Sequence, residues 1–167
     1  MSEFREMRRK RQLLSEADSI AILQKATSGV LSLLTEEGYP YGVPISYVYT
    51  HGKLYFHSAL SGHKLDAIRF HEKASFTVID KDDIVPEKFT TFFRSVICFG
   101  KVHIIDDNEE KMQTLRLLSA RYCPDQPGTE HEIASGFNHM CMICFEIDHI
   151  SGKESIELVR AKENHAK

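Results

Sequence analysis

Over residues 41–50 the chain alternates. Tyr41, Val43, Ile45, Tyr47 and Tyr49 fall on one face, and Gly42, Pro44, Ser46 and Thr50 on the other, with Val48 the exception. A period of two is the mark of a half-buried strand. His51-Gly52 then turns the chain, and residues 53–58 read as the return strand of a hairpin. Pro44 cannot donate to a ladder, so its strand is expected at an edge or a bulge. Further strands are predicted over 30–35, 74–80, 91–105, 140–149 and 154–159, with a kink at Gly100 in the long third of these. Several follow one another with no helix between them. A parallel sheet with crossover helices is therefore not expected, and a small antiparallel barrel is.

Helices are secondary to this pattern. One is predicted from Ser15, where Asp18 three residues on makes a weak capping box, to about residue 26. A second is expected over 61–71 with Leu65 and Ile68 turned inward. A third begins at Asn108 as its cap, with Glu109 and Glu110 suiting the dipole of its first turn. Met112, Leu115, Leu118 and Tyr122 line one side of it, and Pro124 and Pro127 end it. Residues 82–88 read as a polar loop and 130–137 as a brief helical turn. The chain divides into a basic arm (1–14, with Arg8, Arg9, Lys10 and Arg11 in a row), one domain (15–160) and a tail (161–167).

Composition narrows the class. A length of 167 residues suits one domain, and ten Phe with six Tyr can fill its core in the absence of Trp. A net charge of −3 gives no global basic field, so nucleic acid is not an expected partner. No apolar run approaches the roughly 18 residues of a membrane span, and no leader opens the chain. Four cysteines fit a reducing cytoplasm better than a disulfide scaffold.

Cys141 and Cys144 match CxxC, but on a strand positions three apart face opposite sides. Cys141 then shares a face with Ile143 and Phe145, and the pair is expected to pack rather than to bind metal or form a disulfide. The nine histidines show no HExxH, and no metal site is predicted. Residues 55–64, Tyr-Phe-His-Ser-Ala-Leu-Ser-Gly-His-Lys, carry more. A strand ends near His57 and Ser58, and a helix opens near Gly62. Free backbone N–H groups at a helix start attract anions, and His63 and Lys64 add side-chain donors there. This reads as a phosphate cradle. A solvated Lys beside a simple Ser cap gives the same letters.

Five segments extend the reading: Gly-Tyr-Pro-Tyr-Gly-Val-Pro-Ile-Ser-Tyr at 38–47, Leu-Tyr-Phe-His-Ser-Ala at 54–59, Gly-His-Lys-Leu-Asp at 62–66, Phe-Arg-Ser-Val-Ile-Cys-Phe-Gly-Lys at 93–101 and Ile-Ser-Gly-Lys-Glu at 150–154. In this order, and with the arm Met-Arg-Arg-Lys at 7–10, they resemble the nitroimidazole-resistance branch of the pyridoxamine 5′-phosphate oxidase-like flavoproteins. The resemblance implies a split β-barrel of antiparallel Greek-key type with a few peripheral helices. It also implies a homodimer with flavin sites in the clefts between subunits. Pro44, Ile45 and Ser46 would lie along the isoalloxazine ring, with His57, Ser58 and Ala59 continuing the wall. Gly62, His63 and Lys64 would hold the 5′-phosphate. Arg94, Ser95 and Val96 would reach the ring from the other subunit, and Lys153 would close the site. The oxidases themselves carry an Arg-x-Val-x-Leu-Lys strand and C-terminal Trp and Arg residues. This chain has Val-Pro-Ile-Ser-Tyr-Val at 43–48 and no Trp, so vitamin B6 oxidation is not expected.

The expected activity is reduction of small acceptors by a bound flavin, with 5-nitroimidazoles reduced to amines and His57 as proton donor. FMN is the expected cofactor, and an open cleft would also admit FAD. The alternative is a non-catalytic flavin- or heme-binding protein of the same fold.

Overall fold

A computed structural model describes residues 4–165. The elements in chain order are α1 (Glu16–Lys25), β1 (Ser28–Leu34), β2 (Pro40–Ser46), β3 (Val48–Thr50), β4 (Lys53–Ala59), α2 (His63–Phe70), β5 (Lys73–Val85), β6 (Thr90–Ile104), α3 (Asn108–Tyr122), α4 (Thr129–Gly136), β7 (Met140–Glu154) and α5 (Ile156–His165). The strands form one antiparallel sheet of order β2-β1-β5-β6-β7-β4-β3. Its two edges, β2 and β3, are consecutive in the chain and are separated by Tyr47 alone. The sheet must therefore curl until its edges nearly meet, which gives a barrel left open along one seam.

Tyr47 sits in that seam, 1% exposed, and its hydroxyl donates to the Leu23 carbonyl of α1 at 2.7 Å. The Tyr122 hydroxyl accepts from the Tyr47 N–H at 3.1 Å and lies 2.6 Å from the Tyr47 carbonyl. Tyrosine side chains thus satisfy backbone groups that would otherwise pair with a neighbouring strand. The single strand predicted over 41–50 is accordingly two strands on opposite edges. The alternation runs on through the break because Tyr47 is buried on either side of it.

Inside the barrel Leu31, Leu33, Leu54, Phe56, Phe76, Val78, Val96, Cys98, Ile143 and Phe145 form the main core. A second cluster, outside the sheet beneath α3 and α4, holds Val48, Tyr55, Met142, Cys144, Leu115, Leu118 and Ile133. Cys141 belongs to the first cluster and Cys144 to the second, as strand alternation requires. At Gly100 the β6–β7 register shifts, and a Cβ there would fall inside the Glu146 carbonyl. The kink is a bulge that only glycine fits.

Several local readings are corrected. Ser15 caps α1 through Asp18 N–H at 3.0 Å as predicted, but the cap of α3 is Asp107, which accepts from Glu110 N–H at 2.7 Å, with Asn108 already helical. Residues 82–85 continue β5 and pair with β6 to Val85↔Thr90, rather than forming a loop. That hairpin overhangs the end of β7, whose last pair is Arg94↔Glu154, and it exposes Ile84 and Phe89. The strand predicted over 154–159 is helical, since α5 begins at Ile156 and runs through the start of the predicted tail to His165. Residues 1–3 of the arm and 166–167 of the tail lie outside the described residues. The end of the arm is not merely solvated: Gln12 and Leu14 are buried, and Leu14 N–H bonds the Gly152 carbonyl at 2.9 Å.

Candidate functional site

β4 delivers the first group of side chains. Its last residues pair with the start of β7, His57 with Met142, Ser58 with Cys141 and Ala59 with Met140. Ser58 is buried, and His57 and Ala59 stand exposed on the other face. The Cys141 thiol lies 3.4 Å from the Ala59 carbonyl and fixes this end of the strand. After three residues α2 opens at Gly62, whose φ of +131° is one that side chains rarely adopt.

The start of α2 suits an anion. The Gly62 carbonyl takes the N–H groups of Leu65 and Asp66, at 2.9 and 3.2 Å, so the His63 and Lys64 N–H groups precede the first helical bonds. No side chain caps the helix, and a Cβ on Gly62 would meet open space. Lys64 is half-buried, and burial holds its ammonium below its ordinary value. An anion beside it would relieve that cost. Among the described residues this is the place whose donor set fits a phosphate monoester, and the residues that the sequence assigned to the cradle are together there.

β2 joins this group at one end. The His63 ring stands edge-on to the Tyr41 ring, 4.6 Å between centroids. Along β2, Tyr41, Val43 and Ile45 turn toward the core, while Gly42, Pro44 and Ser46 are exposed. β2 bonds β1 on one side only, so Pro44 lies on an edge strand as expected. Gly42, Pro44 and Ser46 open a face of small and apolar side chains that crosses five strands. One row runs Pro44, Val30, Thr77, Ile97, Ser151, and the next Gly42, Ser32, Ser75, Phe99, His149. Phe4 of the arm stacks on His149 at 4.7 Å, at the margin of this face.

The remaining predicted residues are elsewhere. Ser95 pairs with Lys153, and Val96 with Gly152, at the far end of β7. Met140 and Lys153 are thirteen residues apart on one strand, on the order of 40 Å of path at about 3.3 Å per residue. Within one chain the cradle and the Arg94–Lys153 group are thus separate. Val96 points into the core, wholly buried, whereas Ser95 and Lys153 are half-exposed. The Arg94 guanidinium is engaged in its own chain, 3.0 Å from Glu154 and 3.3 Å from Asp80. Glu154 is 4% exposed and takes Lys162 of α5 as well, at 2.8 Å. The Lys153 ammonium lies 5.5 Å from the centre of the Phe93 ring.

The structure also gathers a group that the sequence reading did not: His103, Cys144 and Glu146, whose ligand atoms all lie within 4.8 Å of one another. His103 faces Cys144 across β6 and β7, a register that spacing along the chain does not carry. Only the i, i+2 pair Cys144 and Glu146 was visible as two side chains on one strand face.

The sequence profile of the pyridoxamine 5′-phosphate oxidase family matches residues 15–154. The chain belongs to that family. Its curled, open antiparallel sheet is the family's split barrel. Solved structures resemble it over most of its length. A protein of Bacteroides thetaiotaomicron designated for 5-nitroimidazole antibiotic resistance is 24% identical, with a TM-score of 0.70 over 85% of this chain and 86% of that one. A FAD-binding protein of Mesorhizobium loti is 22% identical, with a TM-score of 0.64 over 86% and 95%. A FAD- and heme-binding protein of Mycobacterium smegmatis is 20% identical, with a TM-score of 0.73 over 87% and 73%. Comparison with curated proteins gave no match. No helix among the described residues is long and apolar enough to cross a membrane.

Proposed function

We propose that this split-barrel protein binds a flavin, FMN in preference to FAD, and uses it to reduce small acceptors, 5-nitroimidazoles among them. The observation that carries the reading is the uncapped start of α2, where the His63 and Lys64 N–H groups make no helical bond and the half-buried Lys64 stands in the first turn. That donor set suits the 5′-phosphate of a flavin mononucleotide. Membership of the family supports a flavin, and neighbours of the same fold bind FAD.

A bound flavin would carry electrons two at a time; conversion of a nitro group to an amine takes six electrons with six protons and releases two waters, so the flavin would be reduced three times by an external donor such as a reduced nicotinamide nucleotide. The chain's residues bind, orient and protonate. Gly62, His63 and Lys64 hold the phosphate. The exposed edge at Pro44, Ile45 and Ser46 lets backbone groups approach a flat ring closely. His57, exposed beside the cradle, is the proton donor.

A homodimer completes the site in this reading. The face carrying Ile97, Phe99 and Pro44, and the overhanging β5–β6 hairpin with Ile84 and Phe89, offer apolar surface to a second copy. The partner's Ser95 and Lys153 would then approach this chain's cradle, which they do not reach within one chain.

The test is the absorption spectrum of the purified protein, then anaerobic mixing of the reduced form with a 5-nitroimidazole. Flavin bands and reoxidation by the drug are the expected result. Replacing His57 with Ala is expected to leave flavin affinity unchanged and to slow reoxidation at least tenfold, within the range of general acid catalysis. Unchanged turnover would remove His57 from the mechanism. The neighbour that binds FAD and heme supports a second reading, and a Soret band in place of flavin bands would favour it.

A further inference from the structure

The sheet surface outside the barrel carries a second set of chemistry-bearing groups, on the face of β7 opposite Cys141. Three neighbouring strands contribute. His103 of β6 pairs with Cys144 of β7, and Cys144 pairs in turn with Tyr55 of β4. Glu146, two residues beyond Cys144 on the same face, pairs with Lys53. Each position is fixed by backbone ladders on both sides of β7, so the side chains converge without help from a loop.

We propose that His103, Cys144 and Glu146 form a binding site for a divalent cation of borderline softness, of which zinc is the type. The donor set is one imidazole, one thiol and one carboxylate, which is zinc chemistry rather than that of calcium or magnesium. Their ligand atoms lie within 4.8 Å of one another. Zinc bonds of about 2.0–2.3 Å require ligands somewhat closer than this, and the two exposed members, His103 and Glu146, have the freedom to close in on the fixed sulfur. A fourth position would be open to water.

The surroundings fit the ion. Tyr55 stands directly across from Cys144 on β4, where its hydroxyl could serve as the outer contact that orients a ligating thiolate. Glu110 of α3 adds negative charge near the sulfur. Two cations oppose this: Lys53, 3.3 Å from Glu146 in an exposed pair that a metal ion would displace at little cost, and Lys101, which faces Glu146 from β6 but is paired with Glu72 at 3.1 Å. The proposal departs from the expectation from sequence that no metal is bound. It shares no residue with the flavin cradle, so it does not depend on the function proposed above.

The test is titration of the metal-stripped full-length protein with Zn²⁺, and with Co²⁺ as a spectroscopic reporter. The expected result is one equivalent of Co²⁺ with an intense near-ultraviolet thiolate-to-metal band, displaced by Zn²⁺. Cys144→Ser is expected to abolish the band. His103→Ala and Glu146→Gln are each expected to weaken Zn²⁺ binding at least tenfold, about the loss that even outer contacts of a metal produce. Both residues are exposed, so these variants keep the fold and decide the matter even where Cys144→Ser unfolds. A Co²⁺ complex without the thiolate band, Zn²⁺ affinity unchanged by either exposed variant, or no binding at all would overturn the proposal.

Discussion

Tyr47 and Tyr122 do for the barrel seam what a closing ladder would do elsewhere. The Tyr122 hydroxyl accepts one backbone N–H and faces two carbonyls, those of Tyr47 and Thr27. Tyr122→Phe removes all of these contacts and leaves part-buried backbone groups unpaired. The expected loss is about 1–3 kcal/mol, read from denaturant unfolding, with the far-ultraviolet circular dichroism unchanged. A loss below about 0.5 kcal/mol would mean that water replaces the hydroxyl. The importance of these two side chains was not legible in the sequence. Tyr122 reads there as one more apolar position of a helix, and Tyr47 as one more beat of an alternation. What could be read at single positions were constraints that a residue imposes on its own backbone: Ser15 as a cap, Pro44 at an edge, Gly100 at a bulge, and Cys141 and Cys144 on opposite faces. Cross-strand partners could not be read, and His103 with Cys144 is the clearest case.

The elements follow the sequence where their periodicity is long and fail where it is short. β6 and α3 are found within a residue of their predicted spans, because each shows many turns of its own period. Residues 154–159 hold too few apolar positions to separate strand from helix, and they became the start of α5. Asp80, Asp82 and Asp83 disguise the end of β5, because the charges on its overhanging ribbon read as a polar loop. The bulge in β6 was visible and is stringent. Gly100→Ala would drive a methyl into the Glu146 carbonyl and part the β6–β7 ladder at its middle. The expected cost is about 3 kcal/mol, measured by thermal or chemical unfolding. A neutral result would show that the bulge can shift by one residue.

The whole molecule carries its proposed chemistry on surfaces rather than in a cavity. A concavity of about 570 Å³ does exist, but it lies beneath the arm, among Phe4, Met7, Leu13 and His149, and not at the cradle. The cradle and the Arg94–Lys153 group occupy opposite ends of β7, and the dimer proposed above would bring them together between two copies. Ile79 is 69% exposed on the same outer face, so Ile79→Lys leaves the monomer fold intact. The variant is expected to halve the mass seen by light scattering and to weaken flavin binding at least tenfold, since desolvating an unpaired lysine opposes association. A monomeric parent, or an unchanged dimer, would remove this face from the assembly. The cradle was readable because it is local, a strand end, a glycine and a helix start within eight residues. The rest of the proposed site rests on the family pattern, since nothing along the chain says that strands holding residues 95 and 153 pair.

The sheet order has a bearing on how the chain is made. β4 makes a hairpin with β3 but joins the rest of the sheet through β7, and Lys53 and Glu146 are roughly ninety residues apart in the chain. Synthesis runs from the amino terminus, so the hairpins β1–β2 and β5–β6 have their partners early, while Leu54 and Phe56 wait for the last strand to emerge. Contacts of such separation slow folding toward the millisecond-to-second range. During that interval β4 holds only its short pairing with β3, and its other edge, with Leu54 and Phe56 still uncovered, stands open to pairing with another chain.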